Sequence, residues 1–351
     1  MGYRPSLRRV VVEPRDLSPI YTVTRKLLPL FIIDIIRVVF DLHSYNCTGL
    51  STDPRHNIEL GSKGSGVYLH GLQLTDLQAA VFLGRADCVE ELVADPATNI
   101  DQRAKNPQVP STALFSAVGL GHIEIVRLLV AAGADASVVG TDGFTPLHQA
   151  VTVQGGRSQD DEKSEIVSSL LAGGAALEAV WVENNGNPAT PLGVASQNGF
   201  CVSAGLLLDA GADPHALGPL GLRPVHLAAY KGFPRCLEHL IDHGADVNAP
   251  SPNGKAYGTL YMACRGVQDY LHKIHGKPPP PENALRRWLY TFVTKPDDDA
   301  LKKRWCPVYE ALFRAGAVVR PDWRDDPYAF MVDEFRGPIC GFTKDSGSGE
   351  L

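Results

Sequence analysis

The sequence predicts an all-α solenoid of about six helix-turn-helix repeats, with hairpin fingers between them. Three observations carry this. Five segments, beginning at Thr75, Thr112, Thr145, Thr190 and Arg223, align on one frame, with starts 37, 33, 45 and 33 residues apart. Leu or Val holds the third position and Ala the sixth, at Ala80, Ala117, Ala150, Ala195 and Ala228. Gly holds the tenth in four of them, at Gly84, Gly121, Gly199 and Gly232.

Each position has a mechanical reason. A threonine at the start can cap the first helix's orphan N–H groups. Pro146 and Pro191 follow it, where a missing N–H costs nothing. Alanine at six lets neighbouring helices approach. Glycine at ten ends the first helix cheaply, because it tolerates positive φ. Ile125, Val126, Leu128 and Leu129 then mark one face of a second helix. Gly133, Gly174, Gly211 and Gly244 close that helix, and the following stretch, as in Asp135 to Phe144, turns back as a finger.

This frame, with T-P-L-H at Thr145 and G-H-I-E-I-V-R-L-L-V-A-A-G-A-D from Gly121, resembles the ankyrin repeat. The resemblance implies an ankyrin-repeat solenoid that binds a protein partner without chemistry. It implies that His148 and His226 make structural hydrogen bonds between loops. Cys88 and Cys236 stand fourteenth in the frame, where Ile125 stands in the best repeat, and read as buried small hydrophobes.

The breaks in the repeat define the remaining organisation. Residues 1–70 lack the frame and read as a non-repeat segment with a capping helix; 71–320 hold the repeats; 321–351 read as a partly disordered tail. Thr152 to Glu165 reads as a solvated inserted loop in the third repeat. The sixth repeat opens at Gly258 and carries an insertion over 265–305 before its second helix resumes at Cys306. That insertion holds a polyproline stretch, Pro278 to Pro281, and nine Lys/Arg against five Asp/Glu. Trp288, Tyr290, Phe292 and Trp305 beside its basic residues could bind nucleic acid or an acidic peptide; a lid on the last repeat explains them equally. Cys264, His272, His275 and Cys306 could be drawn as a zinc set, but their spacing fits no common finger.

Composition limits the function. The net charge is −6, from 39 acidic and 33 basic residues, so a nucleic-acid partner is disfavoured. Leu27 to Phe40 is the most apolar run, too short for a membrane span and interrupted by Asp34 and Arg37. Seven cysteines without a CxxC pair argue against a secreted disulfide framework and for a reducing, intracellular compartment, cytoplasm or nucleus. No phosphate loop, G-x-S-x-G elbow or H-E-x-x-H motif is present, so no enzyme, cofactor or metal is expected.

The expected function is therefore an intracellular protein–protein interaction scaffold or adaptor. The partner is expected on the concave face and fingers of the array, with candidate contacts Val139, Thr141, Asp142, Trp181, Glu183, Leu217 and Pro219 on the fingers, joined on the concave face by Tyr230 and Lys231 late in a first helix. Trp181 either projects as a hot spot or folds back on the adjacent helices. Three alternatives stand beside this. Leu28-Pro29 and the apolar residues to Leu42 weakly resemble an F-box, which implies a ubiquitin-ligase substrate adaptor. Lys302-Lys303-Arg304 would suit a nuclear transcriptional co-regulator. An enzyme would need a pocket at the insertion.

Overall fold

The computed structural model describes Cys47 and residues 74–104, 112–140, 143–152, 160–182, 186–250, 258–275, 299–319, 331–333 and 335–340. The N-terminal cap, the F-box-like segment, the polyproline stretch, Trp288, Tyr290 and Phe292 lie outside the described residues.

Six helix pairs follow one another: α1 (Asp76–Leu83) with α2 (Ala86–Ala94), α3 (Ala113–Leu120) with α4 (Ile123–Ala131), α5 (Pro146–Ala150) with α6 (Asp160–Ala172), α7 (Pro191–Asn198) with α8 (Cys201–Asp209), α9 (Pro224–Lys231) with α10 (Pro234–Asp242), and α11 (Thr259–His275) with α12 (Asp299–Arg314). First helices pack on first helices and second helices on second helices, giving two layers. The fold is the mostly helical solenoid that the frame predicts.

The frame residues act as their chemistry dictates. Thr75, Thr112, Thr145 and Thr190 each accept a backbone N–H three residues on. The sixth-position alanines are buried, from Ala80 to Ala228 and on to Ala263 in the sixth repeat. One continuous hydrophobic cluster includes Cys47 and runs from Leu77 to Ile339. Fingers are stitched to their neighbours: the Asp135 amide donates to Asp101 Oδ1 at 3.0 Å, that of Asp213 to Glu178 Oε1 at 2.8 Å, and that of Val318 to Asn248 Oδ1 at 3.0 Å.

Three departures have physical causes. In the third repeat the expected loop is helical from Asp160, and that acid is not merely solvated. Its carboxylate accepts the Val202 amide at 2.9 Å and the Ser203 hydroxyl at 3.0 Å, capping α8, which has no side-chain cap of its own. One turn on, Lys163 Nζ donates to Ala150 O at 3.0 Å and Thr152 O at 2.9 Å, satisfying carbonyls at the end of the short α5. Burial pushes this ammonium down to about 8, against the pull of Asp160.

The sixth repeat has Val267 where four others have the tenth-position glycine, so no glycine ends the first helix. Gly84, Gly121, Gly199 and Gly232 stop theirs at φ between 68° and 80°, whereas α11 runs on to His275. Helix therefore continues past 265 to His275, and α12 begins at Asp299, ahead of the expected Cys306. Trp305 is a core residue, 1% exposed, rather than a nucleic-acid contact.

The cysteines depart most. Three disulfides join Cys47 to Cys88, Cys201 to Cys236 and Cys306 to Cys340. Cys88 and Cys236 are buried as the frame implies, but they are bonded rather than simple small hydrophobes. Adjacent second helices bring positions twelve and fourteen of successive repeats, Cys201 and Cys236, into contact, which spacing along the chain does not reveal. The drawn zinc set is not assembled, since Cys306 is bonded to Cys340 and buried Cys264 sits 3.1 Å from the Tyr309 hydroxyl. Part of the expected disordered tail is packed: Met331, Val332 and Phe335 are buried, and Phe335 stacks on Tyr309 with ring centroids 4.4 Å apart.

Candidate functional site

The surface that stands out is the row of fingers. Among the described residues, the exposed large hydrophobics are Val139, Val180, Val182, Leu220, Ile274 and Val318. All but Ile274 lie on fingers. Scattered apolar residues are ordinary on a surface, but their concentration on one edge of the stack is not.

The second and third fingers form a unit. The third carries a short antiparallel hairpin, β1 (Trp181–Val182) with β2 (Pro188–Ala189), pairing Trp181 with Ala189 and Val182 with Pro188. A Cβ at Gly143 would lie 2.3 Å from the Val180 carbonyl oxygen, so the two backbones touch only because position 143 is glycine. Trp181 folds back: its ring meets Phe144 edge-on at 5.0 Å and His148 at 6.4 Å, and it is half-buried. The projecting groups are its neighbours Val180 and Val182, 47% and 50% exposed. Val139 is exposed, and its carbonyl accepts Arg103 Nη2 at 3.1 Å.

The fourth finger places its candidates differently. Leu217 is half-buried, with its carbonyl accepting the Thr190 amide at 3.3 Å. Pro219 is buried, so it is no contact residue; its ring lies over Gly193 at the start of α7. The exposed tip is Leu220, at φ 64° and ψ 11°. It has the sole positive φ among the described non-glycine residues. A left-handed conformation costs an L-residue about 1–2 kcal/mol, least for Asn, Asp and Gly. Asp142 occupies the matching place in the second finger's sequence, so a leucine here sets aside local stability for an exposed apolar group. Thr141, Asp142 and Glu183 lie outside the described residues.

Beneath the fingers, His148 and His226 join one repeat to the next. His148 Nε2 is 2.9 Å from Ala189 O, and His226 Nε2 is 3.1 Å from Ala249 O. A carbonyl only accepts, so each Nε2 carries the proton and each Nδ1 is an acceptor. The Nδ1 of His148 takes the Thr145 amide at 3.2 Å and the hydroxyl at 2.9 Å. In the fifth repeat Arg223 replaces that threonine, and the buried His226 Nδ1 has no hydrogen-bond partner among the described residues. Burial pushes both imidazoles down to about 4. They are structural, as the resemblance implies.

Tyr230 and Lys231 are half-buried at the far end of α9, remote from the fingers, so the candidates fall on two surfaces rather than one. Lys302-Lys303-Arg304 is not a free basic run. The Arg304 guanidinium lies over Phe233, Tyr270 and Trp305 and donates to the Lys231 carbonyl. One potential metal group exists among the described residues, Cys47, Asp87 and Cys88, but its two sulfurs are bonded to each other.

Stacked helix pairs, hairpin fingers and inter-repeat histidines define a class, the ankyrin-repeat proteins. The family profile for ankyrin repeats matches residues 77–178 and 158–251, and the chain belongs to that family. Mouse ankyrin repeat and SOCS box protein 16 is 30% identical over 227 residues, covering 56% of this chain and 49% of its own length. Palmitoyltransferase AKR1 of Lachancea kluyveri is 29% identical over 157 residues, covering 45% of this chain and 20% of its own length. The chain thus spans about half or less of these curated relatives. The crystal structure of the human ASB11 ankyrin repeat domain matches 60% of this chain and 88% of its own, at 22% identity and a TM-score of 0.43. Among the described residues, no helix is long and apolar enough to cross a membrane.

Proposed function

We propose that this chain is a non-enzymatic scaffold or adaptor that holds a partner protein against its fingers. Ankyrin repeats are protein–protein interaction modules, and the finer role is read from the finger tips. The carrying observation is the clustering of Val139, Val180, Val182, Leu220 and Val318 on one edge, with Leu220 held in an unfavourable backbone conformation. Large apolar anchors ringed by polar groups are the usual energetic centre of an interface.

The intracellular placement belongs to the same proposal and is in tension with the three disulfides, since such bonds persist mainly in oxidising surroundings. Counting alkylatable thiols in the cellular protein decides it: seven free thiols support a reducing compartment, and one supports an oxidising one.

The binding surface is tested by placing a photo-crosslinking residue at Val182 or Leu220, and at Glu90, exposed on the second-helix layer, for comparison. The proposal expects a discrete protein adduct from the finger positions and none from position 90. Equal adducts from all three would overturn it.

A further inference from the structure

The three disulfides join different kinds of partner. Cys201–Cys236 links α8 to α10, two second helices that already pack on each other. Cys306–Cys340 links α12 to the short segment 331–340, 34 residues further along the chain. The pairs also differ in access. Cys47, Cys88 and Cys236 are buried, so two of the bridges have at least one buried cysteine, whereas Cys306 and Cys340 are both partly exposed. Thiol–disulfide exchange needs a sulfur that an incoming thiolate can reach.

Apart from that bond, the segment is held by non-directional contact. Met331, Val332, Phe335 and Ile339 are buried, Phe335 stacks on Tyr309 of α12, and the Arg336 guanidinium lies over the Phe313 ring at 4.6 Å. Among the described residues no hydrogen bond joins the segment to the repeats, and no further helix pair follows α12. A terminal repeat needs its apolar surface covered. The segment gives that cover, but burying four apolar side chains does little more than offset the ordering of its backbone. The covalent bond decides the balance.

We propose that the segment 331–340 is a redox-released strap, latched onto the sixth repeat by Cys306–Cys340 and freed by a dithiol reductant. A thiolate of the reductant attacks one sulfur and displaces the other cysteine, which leaves as a thiolate and takes a proton. The reductant's second thiol, losing its proton, then displaces the remaining cysteine and closes the reductant's own disulfide. Two electrons pass to the pair and two cysteine thiols result. The segment is then tethered through the chain alone, and opening a loop of this length weakens its docked state by roughly a hundredfold or more. Release bares the Tyr309 and Phe313 rings at the end of the array. The strap is independent of the fingers, and its failure would leave the finger surface untouched.

The test titrates the oxidised full chain with dithiothreitol. Differential alkylation read by mass spectrometry should show Cys306 and Cys340 opening at about tenfold lower reductant than the other four bonded cysteines. At that step, before alkylation, hydrogen exchange at the amides of 335–340 should quicken about tenfold or more, while α1 to α10 keep their protection. Oxidised glutathione should restore both. Cys340→Ser should show the faster exchange with no reductant, and Cys201→Ser should not show it at 335–340. Opening of the other bridges first or together with this one would overturn the proposal. So would unchanged exchange at 335–340 once the Cys306–Cys340 bond is reduced, which would make the bond a tie on a segment that stays docked without it.

Discussion

The first five repeats and the sixth carry the same apolar frame and secure it differently. In the regular repeats the securing parts are local and recur: a threonine cap in four of the five, a glycine stop in four of the five and, twice, a histidine to the next finger. In the sixth, Gly258 and Val267 replace the threonine and the glycine. The unit is then held by the Gly266 contact, by Arg304 over three aromatic rings, and by Cys306 bonded to the packed tail. A repeat that loses its standard punctuation needs specific long-range contacts instead, and the overrun that results makes a surface no other repeat has.

The largest expected effect breaks that comparison at Gly266. Gly266→Ala should destabilise the sixth repeat by about 3 kcal/mol or more, since the clash is with backbone and cannot be relieved by a rotamer change. Hydrogen exchange should show α11 and α12 losing protection while α3 to α8 keep theirs, because repeats contact only neighbours. Uniform loss across the array would contradict local securing.

The histidines sharpen the comparison within the regular repeats. Both are held near 4, below the ordinary 6.5, so both are neutral in the fold. The unfolded chain binds protons below 6.5 and the folded chain does not until about 4. Stability is therefore full above pH 6.5 and falls as pH drops towards 4, by roughly 2–3 kcal/mol per histidine. Denaturant titrations of the His148→Gln and His226→Gln variants should show a shallower acid slope than the parent. An unchanged slope would place the acid sensitivity elsewhere.

A smaller effect repairs the difference between the two sites. Arg223→Thr supplies the hydroxyl that His226 Nδ1 lacks and a side-chain cap for α9, and should stabilise by about 1 kcal/mol. The converse, Thr145→Val, should cost a similar amount. Thermal unfolding measures both, and a destabilised Arg223→Thr chain would show that Arg223 has a structural role the histidine does not reveal.

The stack is legible in the sequence because each frame position has one mechanical cause acting within a turn or two of chain. The long-range partnerships are not. Cys201 with Cys236, Asp160 at the start of α8 and Lys163 at the end of α5 depend on which faces meet after stacking. Val267 was the readable sign that α11 would overrun, since the frame demands glycine there. The candidate surface was partly legible. Finger position identified Val139 and the neighbourhood of Trp181, while the side chains that project are Val180, Val182 and Leu220. A tryptophan's size draws it onto Phe144, and Pro219 is drawn over Gly193, leaving the smaller or strained neighbours outside.

The central claim is that the finger tips are kept apolar for a partner at a cost in stability, and Leu220 tests it most directly. Leu220→Asn removes the apolar tip and places there a residue that tolerates left-handed backbone. Thermal unfolding is paired with affinity for the partner cross-linked through position 182. The account predicts a chain more stable by about 1 kcal/mol that binds its partner more weakly. Undiminished affinity in the stabilised variant would contradict it.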